Sequence, residues 1–142
     1  MKTKLYTAGY KNFSFYELKT LVVDNSLMLV DIRFVPYTPL PFWSKAELEK
    51  VFGDSYIHVK ALGNVNYNKS DPGFELSDYP SGLEVIRQLL EQGKKCILLC
   101  GCYDYDACHR KLVAEKLTDD LEGIEVCEID LDDDKILKML RS

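Results

Sequence analysis

Five short apolar runs, separated by segments with helical spacing, constrain the fold of this chain more than any other feature. The runs are KLYTA from Lys4, LMLVDI from Leu27, YIHV from Tyr56, CILLC from Cys96 and IEVCEI from Ile124. They are mostly continuous rather than alternating, which is typical of strands that are covered on both faces. Strands that alternate with helices predict a Rossmann-like, three-layer α/β fold with a mostly parallel sheet of about five strands.

Helix starts occur at regular intervals between these runs. The pattern Ser-x-x-Glu, in which both side chains satisfy backbone amides at a helix N-terminus, is found at Ser14 with Glu17, Ser44 with Glu47, and Ser81 with Glu84. A fourth start is predicted at DYDACHR, with Asp104 or Asp106 as the capping acceptor. Residues 63–80 are rich in Asn, Asp, Gly and Pro and predict a long surface loop, either a lid or a plain insertion.

The composition limits the class of protein. A chain of 142 residues with 46% hydrophobic content fits a single α/β domain over residues 1–142. Because no apolar run is long enough to cross a bilayer and no signal peptide is recognisable, we expect a cytoplasmic protein without a membrane partner. In that reducing compartment the five cysteines are expected to be thiols rather than a disulfide framework. The net charge of −5 opposes broad binding to duplex nucleic acid but is compatible with a small basic pocket.

Polar clusters follow three of the predicted strands at the same end. Thr7, Gly9 and Tyr10 belong to the first cluster, Asp31 and Arg33 to the second, and residues 100–110 form the third. In open parallel sheets, ligands bind beyond the carboxyl ends of the strands, where the strand order reverses. We therefore expect a pocket built from the carboxyl ends of the first, second and fourth strands.

The same clusters carry a resemblance to a known family. The motifs are Thr7-x-Gly9-Tyr10, Asp31-x-Arg33-x-x-Pro36, Leu62-Gly63, and LLCGC followed by Cys108-His109-Arg110. In this order, and over almost the whole chain, they resemble the domain of unknown function 488 family. The resemblance implies a small cytoplasmic α/β protein and names no reaction.

The fourth helix start predicts an anion site. It places Cys108, His109 and Arg110 in or near the first turn, where backbone amides and the helix dipole favour a negative charge. Arg110, together with Arg33 from the neighbouring cluster, can clamp a phosphate or a carboxylate. The alternative is structural: Asp31 pairs with Arg33, or an aspartate pairs with Arg110, and the pairs hold loops in place.

The cysteines of the third cluster allow two other chemistries. Cys100, Cys102, Cys108 and His109 could ligate a metal, but their spacing is not that of two Cys-x-x-Cys pairs, and we predict no metal site. The phosphatase signature, Cys, five residues, Arg, is absent from both Cys100 and Cys102. Cys102 nevertheless remains a candidate nucleophile, because a position before a helix N-terminus favours the thiolate. Cys100 is expected in the core.

The leading prediction is a pocket for a phosphate-bearing ligand, either a small molecule such as a nucleotide or a nucleic-acid end. It requires no cofactor and is compatible with hydrolase or transferase chemistry. The predicted anion-binding residues and pocket walls are Arg33, Arg110, Cys108, Thr7, Gly9 and Tyr10. His109 and Asp31 are the predicted proton carriers, because imidazoles and carboxylates suit this role, and Cys102 serves the thiol-dependent alternative. The third possibility is a non-enzymatic binding or regulatory module. The oligomeric state and the substrate are left open.

Overall fold

Among the described residues, a five-stranded sheet forms the centre of the fold. The computed structural model describes residues 3–12, 14–67, 73–101 and 108–129. The strands are β1 (Thr3–Gly9), β2 (Leu27–Asp31), β3 (Tyr56–His58), β4 (Lys95–Cys100) and β5 (Ile124–Ile129). They lie in the order β3-β2-β4-β1-β5, and every pairing between them is parallel. All five predicted strands are confirmed, each at the apolar run that indicated it.

In the part of the chain that the structure describes, four α-helices cover both faces of the sheet. They are α1 (Phe15–Asp24), α2 (Lys45–Phe52), α3 (Tyr79–Glu91) and α4 (His109–Asp120). Apolar side chains of α1 and α2 pack in one core with Leu29 and Ile97, whereas those of α3 and α4 pack in a second core with Val30 and Leu98. The predicted Rossmann-like, three-layer α/β fold is therefore confirmed. Among the residues described, no helix is long and apolar enough to cross a membrane.

The first predicted helix cap is confirmed and the second is not. Ser14 Oγ accepts from the amide of Glu17 at 3.1 Å, and the Glu17 carboxylate accepts from the amide of Ser14 at 2.9 Å, which forms the expected capping box. Ser44 does precede α2, but its hydroxyl exchanges hydrogen bonds with the backbone of Thr38. Glu47 accepts instead from the amide of Phe42. The segment before α2 therefore engages both side chains, Ser44 and Glu47, that a capping box would need.

The starts of α3 and α4 also differ from the prediction. Helix α3 begins two residues before Ser81, because Asp78 caps it by accepting hydrogen bonds from both the amide and the hydroxyl of Ser81. Helix α4 is capped at Cys108, which makes no side-chain capping bond, rather than at an aspartate. Asp104 and Asp106 lie outside the described residues.

The helices that follow two adjacent strands, β1 and β4, lie on opposite faces of the sheet. Helix α1, after β1, packs in one core, and α4, after β4, packs in the other. At such a point α/β sheets bind ligands beyond the carboxyl ends of the strands. Strand β2 lies on the other side of β4 and brings its own carboxyl end to the same edge.

A close backbone approach joins the predicted surface loop to the segment after β2. A Cβ atom at Gly63 would lie 2.5 Å from the Cα atom of Phe34, so only glycine fits without displacing backbone. Asn64 then forms an antiparallel bridge with Leu76, which folds the described parts of the loop back on themselves. The loop is thus anchored at the edge of the sheet where β2 ends.

Candidate functional site

A cavity of about 570 Å³ lies at the carboxyl ends of β1, β2 and β4. The segments after these strands, the start of α4 and the folded-back loop all contribute to it. Among the described residues, it is lined by Tyr10, Lys11, Arg33, Phe34, Val35, Tyr37, Asn64, Asn66, Tyr67, Gly73, Phe74, Gly101 and His109. A cavity therefore exists at the predicted edge of the sheet.

Tyr10 forms a buried wall of this cavity directly after β1. Its ring packs against Trp43, with 5.1 Å between the ring centroids, and the guanidinium carbon of Arg33 lies 5.4 Å from its centroid. A Cβ atom at Gly101 would lie 2.9 Å from the ring of Tyr10, so the glycine after β4 leaves room for it. Tyr10 thus stacks against a cation and rests on the end of the neighbouring strand.

Asp31 and Arg33 form a bidentate ion pair at the end of β2. Nε of Arg33 donates to Oδ1 of Asp31 at 2.8 Å, and Nη2 donates to Oδ2 at 2.7 Å. The carboxylate also accepts from the amide of Arg33 at 3.1 Å and from the Tyr56 hydroxyl at 2.6 Å. Asp31 is fully buried. With four donors on its two oxygens, Asp31 positions Arg33 and Tyr56.

The third nitrogen of the Arg33 guanidinium, Nη1, takes no part in the ion pair with Asp31. The residue is only 7% exposed, and its buried Nη1 has no hydrogen-bond partner among the described residues. Burial lowers the pKa of Arg33, but the hydrogen bonds and the charge of Asp31 outweigh this effect and raise the pKa overall. The side chain therefore stays charged, although a buried donor without a partner is costly.

Both histidines of the chain hold the segment that follows β2. His109 lies 7% exposed at the start of α4, lines the cavity, and places Nε2 2.8 Å from the carbonyl oxygen of Ile32. His58 places Nε2 2.7 Å from the carbonyl oxygen of Arg33. Since a carbonyl only accepts, each Nε2 carries a proton. His58 and His109 thus make the same kind of structural contact with this segment.

Two asparagines form the wall that the folded-back loop contributes. Oδ1 of Asn64 accepts from the amides of Asn66 and Glu75, at 3.1 and 2.9 Å, and Nδ2 of Asn66 donates to the carbonyl of Gly73 at 3.3 Å. These bonds fix the orientation of both amides. The groups they leave for other contacts are the Nδ2 donor of Asn64 and the Oδ1 acceptor of Asn66.

The charge of the cavity differs from that of the whole protein. The chain carries a formal charge of −5, yet the described residues that line the cavity include Lys11 and Arg33 and no aspartate or glutamate. Five of them are aromatic: Tyr10, Phe34, Tyr37, Tyr67 and Phe74. The walls thus combine aromatic faces, amide groups and positive charge.

Arg110 and Cys108, which were predicted to bind the anion, are not among the residues that line this cavity. Arg110 is completely buried, with Nη1 3.1 Å from the Cys100 sulfur and Nη2 3.0 Å from Oε1 of Glu128. Cys108 is buried against Cys100. The predicted core position of Cys100 is confirmed by its burial. Of the two arginines that were predicted to clamp the anion, Arg33 therefore lines the cavity, and Arg110 is buried outside the lining.

Thr7 and Gly9, two further predicted residues, belong to β1. Thr7 is fully buried within β1, and Gly9 ends that strand in register with Cys100. Neither is among the lining residues. Cys102 lies outside the described residues. In the described part of the chain, no three potential metal ligands are grouped together.

The sequence did not identify Lys11 or the loop residues as site residues of the cavity. Lys11 directly follows the Gly9-Tyr10 motif, and Asn64 directly follows Leu62-Gly63, so adjacency to the motifs was an available signal for both. Phe74 and Tyr67 had no comparable signal, because the reversal of the loop brings them to the cavity.

Comparison with known proteins places the chain in a family. No curated protein and no solved structure matches it. The sequence profile described as "Domain of unknown function DUF488" matches residues 14–117, which is well over half of the chain. The match includes the segments after β2 and β4 that carry Arg33, Gly101 and His109. The chain therefore belongs to the family of the domain of unknown function DUF488.

Proposed function

We propose that the cavity binds a phosphate-bearing ligand with a planar ring, a nucleotide being the representative case. The observation that carries the proposal is the Nη1 donor of Arg33, which is buried and has no partner among the described residues, beside a cavity that is aromatic and basic in an acidic protein. A phosphate oxygen would accept from this donor, and a charge-assisted bond of that kind is among the strong ones.

Three features support phosphate binding at the end of the cavity where β2 and α4 meet. Arg33 supplies a fixed guanidinium, because Asp31 holds two of its nitrogens. Lys11 adds a second positive charge on the same cavity. The N-terminus of α4 adds the positive end of a helix dipole beside His109. Together they favour an anion over a neutral ligand.

The wall formed by the folded-back loop supports a planar ring on the same ligand. Tyr67 and Phe74 bring aromatic faces on which a base can stack, and stacking tolerates every base. Asn64 and Asn66 have a donor and an acceptor to offer, and such a pair can read the edge of a base. A ligand with both a phosphate and a base uses both walls, whereas inorganic phosphate uses one.

For hydrolase or transferase chemistry, His109 is the residue best suited to move a proton. Its Nε2 is engaged by the carbonyl of Ile32, so the proton would be taken up at Nδ1. Asp31 was the other predicted proton carrier, but its oxygens already accept from Arg33 and Tyr56, and we assign it the positioning of Arg33.

Calorimetric titration tests the proposal. The ligands are a purine and a pyrimidine nucleoside 5′-monophosphate, the matching nucleosides, and inorganic phosphate. We expect a monophosphate to bind more tightly than its nucleoside and than phosphate alone. Lys11→Gln should weaken that binding by about 1 kcal/mol, while Lys19→Gln, on the exposed surface of α1, should not change it.

Aromatic substitutions supply a second matched pair. Tyr37 lines the cavity and is 72% exposed, and Tyr16 lies on α1 away from the lining and is 78% exposed. Tyr37→Ala should weaken monophosphate binding several-fold, and Tyr16→Ala should leave it unchanged. Absence of binding by the wild type, or equal effects within each pair, would refute the proposed site.

Incubation with the bound monophosphate or triphosphate distinguishes an enzyme from a binding module. Release of phosphate, followed by phosphorus NMR and lost in His109→Gln, would establish turnover at this site. Binding without any change of the ligand would identify a non-enzymatic module.

A further inference from the structure

A buried pair of cysteines lies behind the cavity, outside the proposed ligand site. The sulfur of Cys100, at the end of β4, is 2.6 Å from that of Cys108, the capping residue of α4. Both residues are at most 1% exposed, and both are thiols. A disulfide has a bond length of about 2.05 Å, so only a small displacement separates the two sulfurs from bonding.

A positive charge adjoins this pair. Nη1 of Arg110 lies 3.1 Å from the sulfur of Cys100, and the whole arginine is buried. A neighbouring arginine favours the thiolate, which is the reactive form of cysteine. For Cys96, four residues earlier on β4, burial outweighs the charge of Lys94 and raises the pKa of the thiol to about 12, so this thiol is expected to be inert.

A proton acceptor is also within reach of the second sulfur. Nδ1 of His109 lies 4.0 Å from the sulfur of Cys108, while its Nε2 is bonded to the carbonyl of Ile32. The imidazole can therefore take the Cys108 proton when that sulfur acts as a nucleophile. A cation thus lies beside Cys100, and a base lies near Cys108.

We infer that Cys100 and Cys108 form a redox-active dithiol, which hydrogen peroxide oxidises to an intramolecular disulfide. The oxidant must be small, because both sulfurs are buried. Neither cysteine is among the residues that line the cavity, so the pair does not itself contact the proposed ligand; His109 adjoins both the pair and the cavity.

The oxidation takes place in two steps that balance. The Cys100 thiolate attacks one oxygen of the peroxide, the O–O bond breaks, and the leaving hydroxide takes a proton to form water, which leaves Cys100 as a sulfenic acid. Cys108 then attacks that sulfur, the S–O bond breaks, and a second water leaves with the thiol proton. Two thiols and one peroxide give one disulfide and two waters.

The disulfide would join the end of β4 to the start of α4. The residues next to the two cysteines, Gly101 and His109, both line the cavity. Oxidation therefore fixes two walls of the cavity relative to each other.

Mass spectrometry of the peroxide-treated protein tests the inference. Cys102→Ser serves as the background, because it removes the third thiol of the segment between β4 and α4. We expect a loss of two hydrogen masses, reversed by a reductant. Chymotrypsin cleaves after Tyr103 and Tyr105, so Cys100 and Cys108 should appear in two peptides that remain joined until reduction.

Two further variants separate the pair from the other thiols. In the same background, Cys108→Ala should abolish the two-hydrogen loss, and Cys127→Ala should leave it unchanged, with folding of each checked by circular dichroism. Arg110→Gln should slow the oxidation about tenfold for each unit by which it raises the thiol pKa, and Arg110→Lys should restore much of the rate. The inference is overturned if folded protein keeps both thiols in peroxide, or if fragmentation of the joined peptides places the bond at Cys96 or Cys127 instead of joining Cys100 to Cys108.

Discussion

His109 donates a hydrogen bond from Nε2 to the backbone carbonyl of Ile32, 2.8 Å away. This bond joins the start of α4 to the segment after β2. His58 makes the same kind of bond to the next carbonyl, that of Arg33, from the end of β3. The two imidazoles thus hold consecutive peptide units from two different elements. Because Arg33 belongs to this segment, the histidines fix the backbone from which its guanidinium reaches the cavity.

The contribution of the His109 hydrogen bond is testable by substitution. Glutamine keeps a nitrogen donor near the position of Nε2, whereas leucine leaves the carbonyl of Ile32 without its partner in a buried environment. A buried polar group that loses its partner costs about 1–3 kcal/mol. We expect urea denaturation to show His109→Leu less stable than His109→Gln by about that amount. Equal stability of the two variants would show that His109 acts by packing alone.

The fold could be predicted because its signal is local. Strands such as β2 and β4 are nearly continuous apolar runs, and the helices between the strands bury one face, so the order of elements already indicates a parallel sheet covered on both sides. The exact residues at which the helices begin were harder to predict. At Ser44 the side chain has an alternative partner in Thr38, and no sequence pattern reveals such competition.

The site could be predicted at the level of strand ends but not of every side chain. Arg110 follows His109 directly, and neighbouring residues on a helix point about 100° apart. When His109 faces the cavity, Arg110 is therefore turned away, and it reaches Cys100 and Glu128 instead. The loop wall depends on a chain reversal that brings Asn64 beside Leu76, and a contact of that kind leaves no periodic trace in the sequence.

The ion pair of Asp31 and Arg33 should show strong energetic coupling. Both side chains are buried, and removal of one partner from a buried pair costs about 3–5 kcal/mol because the other charge stays uncompensated. We expect Asp31→Asn and Arg33→Met each to destabilise the protein by that amount, and the double variant by much less than the sum. A double-mutant cycle in urea measures the coupling.

Glu84 and Arg87 provide the comparison for that cycle. They form an ion pair of 2.6 Å on the surface of α3, with both side chains about half exposed. Solvent screening limits such a pair to less than about 1 kcal/mol. A coupling in the Asp31 pair no larger than that of the Glu84 pair would contradict a structural role for Asp31.

Tyr56 should make the stability of the protein fall at alkaline pH. Burial, together with the charge and the hydrogen bond of Asp31, raises the pKa of its hydroxyl above the usual value of 10.0. Above pH 10.0 the unfolded chain releases this proton while the folded protein retains it, so the contribution is complete below that pH and is lost as the pH rises further. Each pH unit above the unfolded pKa removes up to about 1.4 kcal/mol.

Urea denaturation at about pH 8 and about pH 11 measures this loss. Tyr56→Phe should be less stable than wild type at the lower pH, by about 1–3 kcal/mol, because Asp31 loses a buried donor. Between the two pH values it should lose less stability than wild type, since phenylalanine does not titrate. Tyr16→Phe, at an exposed position on α1, should follow the wild-type pH dependence. If Tyr56→Phe shows the same alkaline loss as wild type, the Tyr56 hydroxyl does not carry a raised pKa, and its contact with Asp31 does not favour the neutral form.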